Sequence, residues 1–80
     1  MLTSEQIRAA RSLLRWTAQD LAEFSGVSGR TIQRLEAATG VPGGHTKNLD
    51  SVRRALERAG VVFIDQTEES GPRVTLRHPI

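Results

Sequence analysis

Arg30, Gln33 and Arg34, with Ala37, recur at i, i+3, i+4 and i+7, a spacing that sets them on one face of a helix. Guanidinium forks and a carboxamide offer hydrogen-bond donors and positive charge, which is the chemistry of recognition and not of bond-making. Bond-making groups are poorly represented. Ser, Thr and Asp are scattered, with no His or Cys companion in an arrangement that would activate a nucleophile. Gly40-Val41-Pro42-Gly43-Gly44 lacks the Lys-Ser/Thr that completes a phosphate loop. Cys is absent and the two histidines, His45 and His78, stand 33 residues apart. No disulfide framework, zinc site, other metal or cofactor is expected, and no enzymatic activity.

The positive charge comes from ten arginines and one lysine against nine acids. Residues 1–60 carry a net charge of +3 and residues 61–80 a net charge of −1. A basic N-terminal part fits a polyanionic partner, and it fits a plain solvated surface as well. Eighty residues, 38% hydrophobic and 25% charged, suit one small soluble domain. The longest apolar run, Val61–Ile64, is far too short to cross a membrane. Polar residues follow within two positions of Met1, so no secretory signal is expected and the location expected is cytoplasmic. With no staples, such a domain needs a well-packed core or a partner subunit.

Local signals place the elements that must carry these residues. Thr3 and Gln6 form a capping box, with Ser4 as the competing cap, and Ile7, Ala10 and Leu14 give a helical stripe. Arg8, Arg11 and Arg15 make a neighbouring stripe, and the first helix should end near Arg15. Thr17 caps a short second helix, about 18–25, with Asp20 in its first turn, Leu21, Ala22 and Ser25 on one face and Gly26 as its stop. Ser28 caps a third, roughly 29–38, whose inward residues are Ile32 and Leu35, with Val27 just before it. A loop over 39–44 leads to a fourth, about 47–59, which Thr46 can cap; its stripe is Leu49, Val52, Leu56 and Ala59. The β-branched and aromatic run 61–65 and the alternating run 73–77 flank a turn at Glu68-Glu69-Ser70-Gly71-Pro72 and predict a β-hairpin.

Ala22, Gly26, Ile32 and Leu35 stand at relative positions 0, +4, +10 and +13. A small residue lets the third helix cross closely, glycine makes the turn, and two large apolar residues fill the angle between the helices. This is the helix-turn-helix pattern, here over about 17–37, and it leaves the outer face of the third helix free to enter a major groove. On these residues, together with Leu21, Val27-Ser28, Glu36 and the upstream Arg11, the chain resembles the Cro/lambda-repressor-like, XRE-type helix-turn-helix family over about residues 4–60. The resemblance implies a mainly α fold, a bundle of four or five helices in domain 1–60. It also implies a sequence-specific regulator of transcription, a repressor in this reading, that binds double-stranded DNA, commonly as a homodimer. Residues 61–80 would then append a short β-hairpin. The alternative is an antitoxin-like or adaptor protein that uses the fold mainly to bind another protein.

The resemblance also implies roles for single residues. Arg11 and Glu36 match a largely buried ion pair that ties the first helix to the third; the competing reading is two unrelated surface charges. Arg30 and Arg34 match positions that reach base edges, with Gln33 on the same face; Arg suits guanine O6/N7, and Gln suits adenine N6/N7. Ser28 and Thr31 would meet phosphate, although capping explains Ser28 equally well; Lys47 and Asn48, with the Gly43-Gly44 amides, would meet phosphate from the fourth helix. Departures from the family pattern are Gly29, where a longer side chain often reads a base, Ala18 with Gln19 one position off a frequent phosphate-contacting Gln, and Arg15 at a usual glycine.

Trp16 is expected to anchor the core between the first two helices. Phe24 is either exposed or docked on the hairpin or on a second subunit. Alternation puts Val61 and Phe63 on one face of the first strand and Val62 and Ile64 on the other. The bundle can bury one face, and a second copy could bury the other, making these four residues the expected dimer interface. The competing arrangement is a hairpin folded wholly on its own bundle, over Phe24.

Overall fold

The computed structural model describes residues 2–38, 40 and 46–77. Four helices come first, α1 (Ser4–Leu14), α2 (Ala18–Ser25), α3 (Gly29–Ala37) and α4 (Thr46–Arg58), followed by strands β1 (Val61–Ile64) and β2 (Arg73–Leu76). The loop expected over 39–44, apart from Gly40, lies outside the described residues, as do the Thr46 cap, the Gly43-Gly44 amides and both histidines.

Side-chain caps set the helix starts. Thr3 Oγ1 accepts from the Gln6 amide at 3.1 Å, while Gln6 Oε1 accepts from the Thr3 amide at 3.0 Å. Thr17 and Asp20 repeat the device on α2, at 3.0 and 2.9 Å. Each box satisfies two amides that the helix itself leaves unpaired. The two C-termini differ. Gly26 ends α2 at φ 73°, where the absence of a Cβ costs nothing. Arg15 ends α1 at φ 58° and ψ 34°, in the left-handed region without that freedom. The Arg15 amide donates to Ser12 O and the Trp16 amide to Arg11 O, at 3.1 and 2.9 Å, so the cap is a Schellman motif closed by an arginine.

The core gathers the expected stripes. Ile7 and Ala10 of α1, Leu21 and Ala22 of α2, Val27, Ile32 and Leu35 around α3, and Leu49, Val52 and Leu56 of α4 are buried together. Leu2 and Val61 close the ends of this cluster. Ala55, which the α4 stripe omitted, is buried too.

The strands pair antiparallel with Val61 opposite Leu76, Val62 opposite Thr75, Phe63 opposite Val74 and Ile64 opposite Arg73. Residues directly opposite share a face. Val61, Phe63, Val74 and Leu76 therefore lie on the face that packs against the core, and Val62 and Ile64 lie on the other, half-buried. Val61, at 1% exposed, is thus spent on the chain's own core and is not free to meet a second copy. Phe63 packs on the same core, with the Arg53 guanidinium 5.6 Å from its ring centroid.

Gln6 fastens the hairpin to the helices. Its Nε2 donates to Ile64 O at 3.2 Å and to Arg73 O at 3.0 Å, one carbonyl from each strand. The side chain that closes the α1 capping box therefore also clips the hairpin at the end where its loop begins. Nothing in the local sequence signals this second role.

Among the described residues no helix is long and apolar enough to cross a membrane, and no three of His, Cys, Asp and Glu gather as metal ligands.

Candidate functional site

α3 has two unlike faces. Ile32, Leu35 and Glu36 are buried, whereas Arg30, Gln33, Arg34 and Ala37 are exposed. The buried side is held by three polar residues of α1 at i, i+4 and i+7. Ser4 Oγ donates to Leu35 O, and Arg8 Nη1 donates to Glu36 O and, at 3.4 Å, to Ala38 O. Arg11 completes the row. Its Nε meets Glu36 Oε2 at 2.8 Å and its Nη2 meets Glu36 Oε1 at 2.9 Å, a two-point fork on one carboxylate. The third nitrogen of Arg11 donates to Trp16 O at 3.0 Å.

The pair expected between Arg11 and Glu36 is therefore formed, with side chains 26% and 10% exposed. The Glu36 carboxylate, in hydrogen bonds to it, pushes the Arg11 guanidinium above its ordinary range. Ser4 and Arg8 escape sequence reading because their partners are α3 carbonyls about thirty positions away, at the end of a helix where four carbonyls lack partners. Of the Arg8, Arg11 and Arg15 stripe, Ser4 joins the clamp in place of Arg15.

The next turn of chain is tied to α1 as well. Ser4 N donates to Gly40 O at 2.8 Å, and the Glu5 carboxylate accepts from the Gly40 amide at 3.0 Å. Its own backbone amide, then that of Gly40, and Arg8 nearby hold the Glu5 carboxyl below its usual range. The orientation of α3 is thus set by α1 along its buried side and beyond its end.

The outer side of α3 is uncommitted. Arg30, Gln33 and Arg34 make no hydrogen bond or ion pair with the described residues. Arg53 and Arg54, by contrast, pair with Glu57 at 3.4 Å and Asp50 at 3.1 Å on α4. At the start of α3, Ser28 Oγ accepts from the Thr31 amide at 3.3 Å and donates to Thr31 Oγ1 at 3.0 Å. The Ser28 hydroxyl proton is therefore engaged as part of the cap, and the Thr31 hydroxyl proton is the one available to an anion. The Gly29 and Arg30 amides, in the first turn, have no helical acceptor and point out of the N-terminus. Lys47 is exposed and Asn48 half-buried in the first turn of α4, which packs on α2 and α1. The expected site residues thus fall into one continuous group on α3 and a separate pair on α4.

Two aromatic residues form a further pair. Trp16 packs against the core, as expected of an anchor, and Phe24 stacks on it with centroids 4.6 Å apart and planes 20° apart. Phe24 remains 59% exposed, so it lies on the tryptophan and does not form a floor for the hairpin.

Chemically, this surface can donate hydrogen bonds and positive charge to a rigid, anionic, acceptor-rich partner. No known protein family matches the chain, and no curated protein is similar enough to count as a relative.

Proposed function

We propose that the chain is a sequence-specific DNA-binding regulator of transcription, acting as a repressor, whose α3 enters the major groove of double-stranded DNA. The observation that carries the reading is the pairing of a clamped inner face with a free outer face on one helix. Ser4, Arg8 and Arg11 fix α3, and Arg30, Gln33 and Arg34 project from it without partners among the described residues. A nine-residue helix held by its neighbours presents its side chains in fixed register, which base-edge recognition requires. Arg30 and Arg34 would each take guanine O6/N7, and Gln33 adenine N6/N7. The Thr31 hydroxyl and the first amides of α3 would take one phosphate, and Lys47 and Asn48 another from α4. The turn Gly26-Val27-Ser28 between α2 and α3 supports the helix-turn-helix reading, and so does the small Ala22 beneath it, buried at 9% exposure.

Two copies would serve a two-part site. Half-sites about one helical turn of DNA apart, roughly 34 Å, call for a two-fold dimer. Val62 and Ile64, on the hairpin face away from the core, are the residues left to build it.

The exposed Phe24, stacked on Trp16, favours a second reading in which the chain mainly binds another protein, as an antitoxin-like or adaptor module. Selection of duplexes from a random pool separates the two. A DNA-binding regulator enriches a defined motif, and its affinity falls steeply with salt. A protein-binding module enriches none.

A further inference from the structure

α3 begins on a glycine that its surroundings do not require. Gly29 is not among the residues with positive φ. A Cβ built there would meet nothing nearer than Gln19 Oε1, at 3.9 Å, an ordinary contact. Neither backbone nor space demands glycine, although glycine weakens a helix relative to alanine. What the missing side chain does is leave the first turn of α3 bare beside Gln19. That residue is exposed in the first turn of α2, a turn fixed by the Thr17–Asp20 capping box. Gln19 Nε2 donates to Glu23 Oε1 one turn further on, at 3.4 Å. The amide nitrogen is thus turned to its own helix while the amide oxygen faces α3. Arg30 follows immediately, so a carboxamide from α2 and a guanidinium from α3 stand at the same end of the exposed surface.

We propose that Gln19 is a specificity-determining residue of this surface. Its side chain lies beside the place a side chain at position 29 would occupy. Its Oε1 accepts from the exocyclic amine of adenine or cytosine at the base pair next to the one met by Arg30. In the major groove only those two bases offer a donor. The Glu23 carboxylate beside Gln19 would repel a phosphate, which favours a base edge as the partner. The inference rests on the reading of α3 as the DNA-reading helix.

Selection from random-sequence duplexes tests it, using the full chain as wild type, Arg30→Ala and Gln19→Ala, with thermal unfolding of each. Wild type enriches a motif, and Arg30→Ala loses one position of it. Gln19→Ala loses about fivefold of the preference for adenine or cytosine at the adjacent position, the worth of one neutral hydrogen bond. Its salt dependence and unfolding midpoint stay at wild-type values. An unchanged motif for Gln19→Ala would overturn this proposal alone, as would uniform weakening with a salt slope smaller by about one, the mark of a phosphate contact. A wild-type chain that enriches no motif, while remaining folded, would overturn the DNA-binding reading and this proposal together.

Discussion

Arg11 holds both carboxylate oxygens of Glu36, at 2.8 and 2.9 Å, across the α1–α3 contact. Glu36 is the more buried partner, so the two single replacements should not cost the same. Arg11→Met strands a nearly buried carboxylate and should destabilise by about 3–4 kcal/mol. Glu36→Leu leaves a guanidinium that solvent can reach, and about 2 kcal/mol is expected after allowance for screening. The double replacement should recover much of the loss, because desolvation offsets most of what the pair contributes. Urea denaturation of the four proteins of the cycle measures this. Additive single losses below about 0.5 kcal/mol would mean that the charges act independently.

The Gln6 amide joins two strands to one helix through Ile64 O and Arg73 O. Gln6→Glu replaces the donor with a group that donates only when protonated. At pH 7 its carboxylate faces two carbonyl oxygens, and the hairpin should loosen by about 1–3 kcal/mol. Lowering the pH through the carboxyl range restores a donor, so this variant should regain hairpin protection as the wild type does not. Amide hydrogen exchange across 61–64 and 73–76 reads the effect. Protection that is equal in both proteins at pH 7 would show that the clip carries no weight.

Arg15 sits at φ 58° where glycine would be unstrained. Arg15→Gly should therefore stabilise the chain by about 0.5–1 kcal/mol, the left-handed penalty less the entropy that glycine adds to the unfolded state. The residue is exposed and no hydrogen bond of its side chain is lost among the described residues. A fall in the thermal midpoint would contradict this account of the α1 cap.

Much of this architecture is legible in the sequence, because its signals are local. Thr3–Gln6, Thr17–Asp20 and Ser28 announce helix starts, Gly26 announces a stop, and each apolar stripe names its buried face. The Arg11–Glu36 pair is legible only through resemblance. The long-range contacts of Ser4, Arg8 and Gln6 are not legible at all. Each reaches a backbone carbonyl, which every residue carries, so no residue type marks the partner. Phe24 was legible only as alternatives, exposed or docked on the hairpin or a second subunit. It is exposed, and the contact its type did not announce is the stack on Trp16, eight positions away across a helix cap.

Val62 and Ile64 share the hairpin face that the bundle leaves uncovered. If that face meets a second copy, Val62→Lys with Ile64→Lys should give a folded monomer, because Val61 and Phe63 keep the hairpin on its own core. Sedimentation equilibrium should show a wild-type dimer at micromolar concentration and a monomeric variant with unchanged helix content. A wild type that is already monomeric would contradict the dimer.

The function proposed for this chain requires that α3 read DNA from a fixed position. Equilibrium binding to a selected duplex and to a random one, over a range of salt, tests it most directly. Arg30→Ala and Arg34→Ala should each weaken binding to the selected duplex by about 1–3 kcal/mol and leave the random duplex nearly unaffected. Lys47→Ala should weaken both duplexes alike and reduce the salt slope by about one. Equal, small effects of all three replacements on both duplexes would contradict the claim.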